Sequence, residues 1–250
     1  MGYIIAMAGK GGTGKTTIAS LIVRILKEKK LGSVLAVDAD PNSNLAETLG
    51  LKAKESIGEV LDDIAMHPDK VPAGMSKDRF IEYRVQTAIL EAEGFDLLTM
   101  GKPEGPGCYC YVNNVLRAVL ARLAKEYDYI VIDNEAGLEH LSRRTTRSAD
   151  ALIVVSDASK AGLKSAKRIN ELAKELEIKI EKRLLIINRA DLPTDKLILK
   201  ELGLEYLGSL PDDENIIKIS QNGNSLFSLN NDAESLKALR EIGERLWLGK

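Results

Sequence analysis

The chain has 250 residues, 44% of them hydrophobic and 29% charged, with a formal net charge of −2 and two cysteines. This length suits one well-buried domain, and the composition excludes a disordered chain, a disulfide framework and a basic field for sequence-independent nucleic-acid binding. No apolar run approaches the roughly 20 residues of a membrane span, and the N-terminus has no charged leader region. The expectation is a single cytoplasmic domain over residues 1–250, with neither nucleic acid nor membrane as partner.

In chain order, "YIIAMA" (3–8) reads as a first strand, followed by a glycine-rich loop and a helix from Thr16 to Lys29. A second strand, "SVLAVD" (33–38), precedes a stretch from about Leu49 to Gly94 that shows no convincing strand and is expected to hold inserted helices and loops. "FDLLTM" (95–100) leads to a helix over 112–124, whose Val112, Val115, Leu116, Val119, Leu120 and Leu123 make one apolar stripe. The strands "YIVID" (129–133), "ALIVVS" (151–156), "RLLIIN" (183–188) and "EYLGSL" (205–210) follow. An amphipathic C-terminal helix carries Leu236, Leu239, Ile242 and Leu246 on one face and charges of both signs elsewhere, a pattern for packing on the core rather than on lipid. Near-continuous apolar strands alternating with helices predict an α/β fold: a doubly wound, mostly parallel sheet with helices on both faces.

The loop "GKGGTGKT", Gly9 to Thr16, matches G-x-x-x-x-G-K-[ST] in full and in the strand–loop–helix context that gives the pattern meaning. Its glycines let backbone N–H groups turn onto phosphate oxygens, so Gly11, Gly12, Thr13, Gly14, Lys15, Thr16 and Thr17 are candidate nucleotide contacts. Lys15 is expected at the β- and γ-phosphates and the Thr16 hydroxyl on Mg²⁺. Lys10 is an extra cation, read either as a solvated surface lysine or as one aimed at the phosphates of a neighbouring molecule. Asp38 and Asp40 in "AVDADPN" and Asp133 in "YIVIDNEAG" fall at strand ends, where a carboxylate holds Mg²⁺ or orients the attacking water. An aspartate there also serves as a helix N-cap or turn former. "IINRADL" and "PDDEN" place Asn188, Arg189, Pro211 and Asp212 where a base would lie; "NRAD" is one residue from a guanine-reading N-K-x-D, so both ATP and GTP stand, with ATP favoured by the "KGG" loop.

With these motifs the chain resembles the deviant P-loop ATPases, the group of nitrogenase iron protein, the MinD and ParA positioning proteins and metal-site maturation factors. The resemblance implies that Lys10 acts across a nucleotide-sandwich homodimer. It implies that Asp133 is the Mg²⁺-associated Walker B residue with Asp38 nearby, and that Asp40 positions the attacking water, so that Lys10, Lys15 and Asp40 carry hydrolysis. It further implies that Asn188 reads the adenine edge and that the loop of Pro211 and Asp212 lines the base pocket. "DNEAG" departs from the proline-containing switch of many positioning ATPases but keeps Gly137 as a hinge.

The only cysteines, Cys108 and Cys110, are one residue apart in "GPGCYCYVNN". If Gly107 to Tyr111 is extended, both thiols project to one side, and the helix that follows lowers their pKa. Two thiolates are half of a four-coordinate site, and a two-fold dimer would bring four sulfurs together. Such a set takes Zn²⁺ or Ni²⁺; the plainer reading is two small buried hydrophobes. The phrase, together with "DNEAGLEHLSRR" (133–144), resembles the CooC/AcsF group of nickel-inserting ATPases. That resemblance implies an ATPase, using ATP/ADP and Mg²⁺, whose nucleotide- or metal-dependent homodimer carries Ni²⁺, with Zn²⁺ as an alternative occupant. The implied client is carbon monoxide dehydrogenase or acetyl-CoA synthase. Competing readings are a positioning ATPase, which would want a basic membrane helix or DNA patch, and an iron–sulfur electron-transfer ATPase, whose family uses two well-separated cysteines per subunit. His67, His140, Glu135 and Glu139 are lesser candidates, read equally as surface or capping groups.

Overall fold

In the computed structural model, which describes residues 2–101, 109–135, 148–190 and 199–247 without the side chains of 109–117 and 247, strand β1 (Tyr3–Gly9) is buried along its whole length. Its side chains divide between two cores: Ile4, Ala6 and Ala8 pack on one face of the sheet, and Tyr3, Ile5 and Met7 on the other. A strand covered on both faces needs no polar alternation, which explains the near-continuous apolar run.

The remaining strands are β2 (Val34–Ala39), β3 (Leu90–Ala92), β4 (Phe95–Thr99), β5 (Tyr129–Asn134), β6 (Ser148–Ser156), β7 (Lys179–Asn188) and β8 (Glu205–Leu210). Among the described residues they form one eight-stranded sheet in the order β3-β4-β2-β5-β1-β6-β7-β8, parallel throughout except where β3 pairs antiparallel with β4. The α/β, doubly wound architecture is therefore as expected. One face is covered by α1 (Lys15–Glu28), α2 (Leu45–Thr48) and α8 (Glu234–Trp247), the other by α3 (Ile57–Met66), α4 (Lys77–Ala88), α5 (Tyr109–Glu126) and α6 (Lys160–Glu175). A further helix, α7 (Glu214–Gln221), follows β8. Strand β1 lies between β5 and β6, so the loop after it opens at the carboxyl ends of the central strands, where open α/β sheets hold ligands.

Two expectations change. The stretch after β2 does carry helices, α3 and α4, but it also contains β3, which forms a hairpin with β4 across the two residues Glu93 and Gly94. Three partly exposed residues, one of them Glu91, are too few to register as an apolar run. Helix α5 begins at Tyr109 rather than Val112, so residues 109–111 are helical and not extended.

The C-terminal helix packs as its charge pattern predicts. Leu236, Leu239, Ile242 and Leu246 are buried in the core beside β8, and Arg240 and Glu244 pair with Glu28 of α1 and with Lys29, its C-cap. Arg24, almost fully buried, ties α1 to the segment before α8 by donating to the Leu226 and Leu229 carbonyls at 3.0 and 2.7 Å and to Asn231 at 2.8 Å.

Candidate nucleotide site

The loop between β1 and α1 owes its path to two glycines. A Cβ on Gly9 would stand 2.4 Å from the Val155 carbonyl oxygen of β6, and one on Gly14, whose φ is +93°, would stand 2.3 Å from Asn188 Nδ2. Gly14 is the N-cap of α1, and neither a side-chain cap nor an acidic residue occupies that helix's first turn. The unpaired N–H groups and positive end of a 14-residue helix are thus left facing the loop.

Inside the loop the donors converge. The Lys15 ammonium and the Thr13 hydroxyl donate to the Lys10 carbonyl at 3.3 and 2.9 Å, and the Thr13 N–H points to the same oxygen at 3.4 Å. Lys15 and Thr13 are buried and Thr16 and Thr17 half-buried, whereas Lys10, Gly11 and Gly12 are exposed. The side chain of Lys10 is thus open to solvent, near enough to Asp157 to lower its carboxyl, while its carbonyl helps to shape the cradle.

Two carboxylates sit side by side beneath the loop. Asp38 and Asp133 are register partners on β2 and β5, and both are buried. Desolvation pushes the Asp133 carboxyl up to about 6; the Thr16 hydroxyl and Lys15 ammonium pull it back, and Asp40 raises it. Neither Asp133 oxygen has a well-formed hydrogen bond, the Thr16 contact falling short of one. A buried carboxylate aimed at Thr16 and lacking partners is a donor set that fits a hard divalent cation. Desolvation likewise lifts Asp38 to about 7, opposed by the Leu45 N–H, with Asp133 adding to the rise.

The two aspartates after β2 also shape their own loop. Asp38 accepts from the N–H groups of Leu45 at 2.9 Å and Asp40 at 3.3 Å, anchoring the start of α2. Asp40 accepts from the backbone and side-chain amides of Asn42, both at 2.9 Å. Half-buried, it stands close enough to raise both Asp38 and Asp133.

On the far side, the end of β7 closes on the loop. Asn188 Nδ2 donates to the Thr13 carbonyl at 2.8 Å and Arg189 to the Gly12 carbonyl at 3.5 Å. Pro211 and Asp212 come to the same edge through β8, whose Leu210 carbonyl accepts the Ala190 N–H at 3.0 Å. Asp213 beyond them caps α7 and accepts from Ser235 at 2.7 Å.

Two residues of this neighbourhood escaped the sequence reading. Asn134, directly after Asp133, donates to the Met7 carbonyl at 2.8 Å and ties the end of β5 to β1; a polar residue following a strand-end aspartate was the available signal. Asp157, just past β6, is held below the usual carboxylate range by the Ser159 hydroxyl, with further help from Lys10 and Arg189. No motif marks it.

The cysteine pair is only partly in view. Cys108 lies outside the described residues, as do Gly137, Glu139 and His140, and Cys110 falls in the first turn of α5 with its side chain undescribed. The premise that both thiols share the face of an extended strand does not hold for Cys110, because successive helical positions do not repeat every second residue. His67 is the C-cap of α3, 3.1 Å from the Asp63 carboxylate. Among the described residues no group of three or more His, Cys, Asp and Glu is placed to hold a metal.

A glycine-built anion cradle at a helix N-terminus, with a buried lysine and a strand-end carboxylate beside it, defines a P-loop nucleotide-binding protein. The "AAA domain" family model matches residues 2–186, and the chain belongs to that family. It is 45% identical to an uncharacterized ATP-binding protein of Methanocaldococcus jannaschii, over 97% of this chain and 98% of the relative. It is 31% identical to the carbon monoxide dehydrogenase accessory protein CooC of Rhodospirillum rubrum, over 90% of this chain and 89% of that one. Among solved structures, the cell division ATPase MinD of Pyrococcus furiosus superimposes with a TM-score of 0.75 over the full length of both chains at 21% identity, a likeness of fold.

Proposed function

We propose that this ATPase is a nickel metallochaperone: it hydrolyses ATP as a homodimer, holds Ni²⁺ between the Cys108/Cys110 pairs of two subunits, and delivers the ion to carbon monoxide dehydrogenase or acetyl-CoA synthase. The observation that carries this reading is the C-x-C sequence Cys108–Tyr109–Cys110, whose Cys110 falls in the first turn of α5, in a chain related over 90% of its length to a carbon monoxide dehydrogenase accessory protein. A thiol in the first turn of a helix is shifted toward thiolate, the form that binds metal.

The chain's own residues suit the nucleotide half of that cycle. Backbone N–H groups of Gly11 to Thr17 and the Lys15 ammonium would bind the phosphates. The Thr16 hydroxyl and Asp133 would hold Mg²⁺, with Asp38 behind them, and Mg²⁺ when bound supplies charge neutralisation at the β- and γ-oxygens. Asp40 would orient the attacking water, its carboxylate steadied by Asn42. Asn188, Arg189, Pro211 and Asp212 would border the base, and Lys10 would reach the partner subunit's nucleotide.

The positioning-ATPase alternative would require a lipid- or DNA-binding surface, and the apolar face of α8 is buried against the core. Among the described residues no helix is long and apolar enough to cross a membrane. The test is a Ni²⁺ titration followed by native mass measurement, with and without ADP or a non-hydrolysable ATP analogue. One Ni²⁺ per dimer is expected, lost in a Cys108→Ser/Cys110→Ser variant; undiminished Ni²⁺ affinity in that variant, or a monomer under every condition, sinks the proposal.

A further inference from the structure

We propose that Asn188 is a positioning residue for the phosphate loop, pinning the Thr13 carbonyl toward β7 so that the loop's amides are preset toward phosphate, with Arg189 doing the same at Gly12. The inference rests on the nucleotide-site reading and not on the metal.

In a trans peptide the C=O and the following N–H point in opposite directions. With the Thr13 carbonyl drawn 2.8 Å from Asn188 Nδ2, the Gly14 N–H faces away from β7. With the Gly12 carbonyl drawn to Arg189 at 3.5 Å, the Thr13 N–H turns the same way, and it does point to the Lys10 carbonyl oxygen that also receives the Lys15 ammonium. Of the two peptides whose carbonyls face β7, that of Thr13 and Gly14 leaves its N–H free to meet an anion, while the Thr13 N–H is held by the Lys10 carbonyl and fixes the turn before it.

The contact is built on both sides. Asn188 Nδ2 fills the space a Cβ on Gly14 would need, so the loop glycine and the asparagine are fitted to each other. Arg189 holds a left-handed backbone, φ +56°, a conformation that persists in a non-glycine residue only where its surroundings fix it. Here they do: Asn188 is the last residue of β7, and the Ala190 N–H is bound to Leu210 of β8. The sheet thus grips the phosphate loop from the end of β7.

A base reader and a loop positioner lose different ligands when altered. Calorimetric titrations of wild type, Asn188→Ala and Asn188→Ser with Mg·ATP, Mg·GTP and Mg·tripolyphosphate separate them, since the last ligand has no base. Loop positioning predicts a loss of affinity of about 5- to 10-fold for Asn188→Ala, the worth of one neutral hydrogen bond, by the same factor for all three ligands. The serine variant, which keeps a donor, lies between, and it answers the question by itself if the alanine variant does not fold. A loss confined to ATP, with tripolyphosphate binding unchanged, overturns the inference and leaves Asn188 as a base reader. A wild type that takes up none of the three removes the nucleotide site itself, and this inference with it.

Discussion

Asp133 is the residue at which stability and function pull in opposite directions. Its carboxyl and that of Asp38 are both buried and both lifted, to about 6 and about 7, chiefly by desolvation. Because each holds its proton to higher pH when folded than its ordinary range near 4 allows when unfolded, folding takes up protons between those values. The metal-free protein should therefore lose stability as pH rises from about 4 through about 7, and its melting temperature, measured across that window, should fall by several degrees. Asp133→Asn removes one of the two buried charges while keeping the shape. It should flatten the slope and raise the melting temperature at pH 7.5, yet lower ATP hydrolysis by at least about 100-fold, the scale on which loss of transition-state electrostatics acts. A variant melting below wild type at that pH would show that the Asp133 charge is better compensated than its missing partners imply. Much of this site was legible as residues, since the P-loop and the strand-end aspartates announce themselves by spacing. What spacing could not show is that Asp38 and Asp40 spend part of their hydrogen-bonding on their own loop, at Leu45 and Asn42, which gives both side chains the turn-forming role and leaves the cation-facing one a proposal.

At the scale of elements, legibility followed length and burial. Six strands, β1, β2 and β4 to β7, give apolar side chains to both cores, and such runs are visible in any sequence; the edge strand β8 gives only Leu207 and Leu210, to one core. Strand β3 is visible only in three dimensions, because an edge strand of three residues takes its pairing from β4 rather than from its own pattern. The start of α5 was misplaced for a related reason: Tyr109, Cys110 and Tyr111 carry no helix-start signal before Val112. Where a start signal does exist it is spelled out. At Ser56 and Glu59 the serine side chain accepts the Glu59 N–H and the glutamate reaches back to the Ser56 N–H at 2.6 Å, a complete capping box for α3. Ser56→Ala should cost about 1 kcal/mol, equivalent to about 2–4 °C in melting temperature for a chain of this size. Thermal unfolding of the variant with and without nucleotide should show the same decrement in both, since α3 contributes nothing to the phosphate cradle.

For the whole molecule the question is what Lys10 is for. Its carbonyl is engaged by Thr13 and Lys15 within the loop, but its side chain is exposed and no described hydrogen bond or ion pair within 4 Å draws it inward. On the reading proposed above, Lys10 serves the partner subunit's nucleotide rather than its own cradle; within its own subunit it shares the rim with Asp157 and Arg189. Lys10→Ala should therefore bind Mg·ATP within about twofold of wild type, because a rim charge screened by solvent contributes little to binding at its own site. The same variant should fail to shift from monomer to dimer mass with a non-hydrolysable ATP analogue. Its residual hydrolysis per subunit should not rise with protein concentration, whereas wild-type hydrolysis should. Sedimentation of both proteins over a concentration series, paired with the hydrolysis rate at each point, reads the two effects together. A Lys10→Ala protein that dimerises normally and still loses hydrolysis would assign the lysine to its own active site, and the two halves of the cysteine site would then need some other means of meeting.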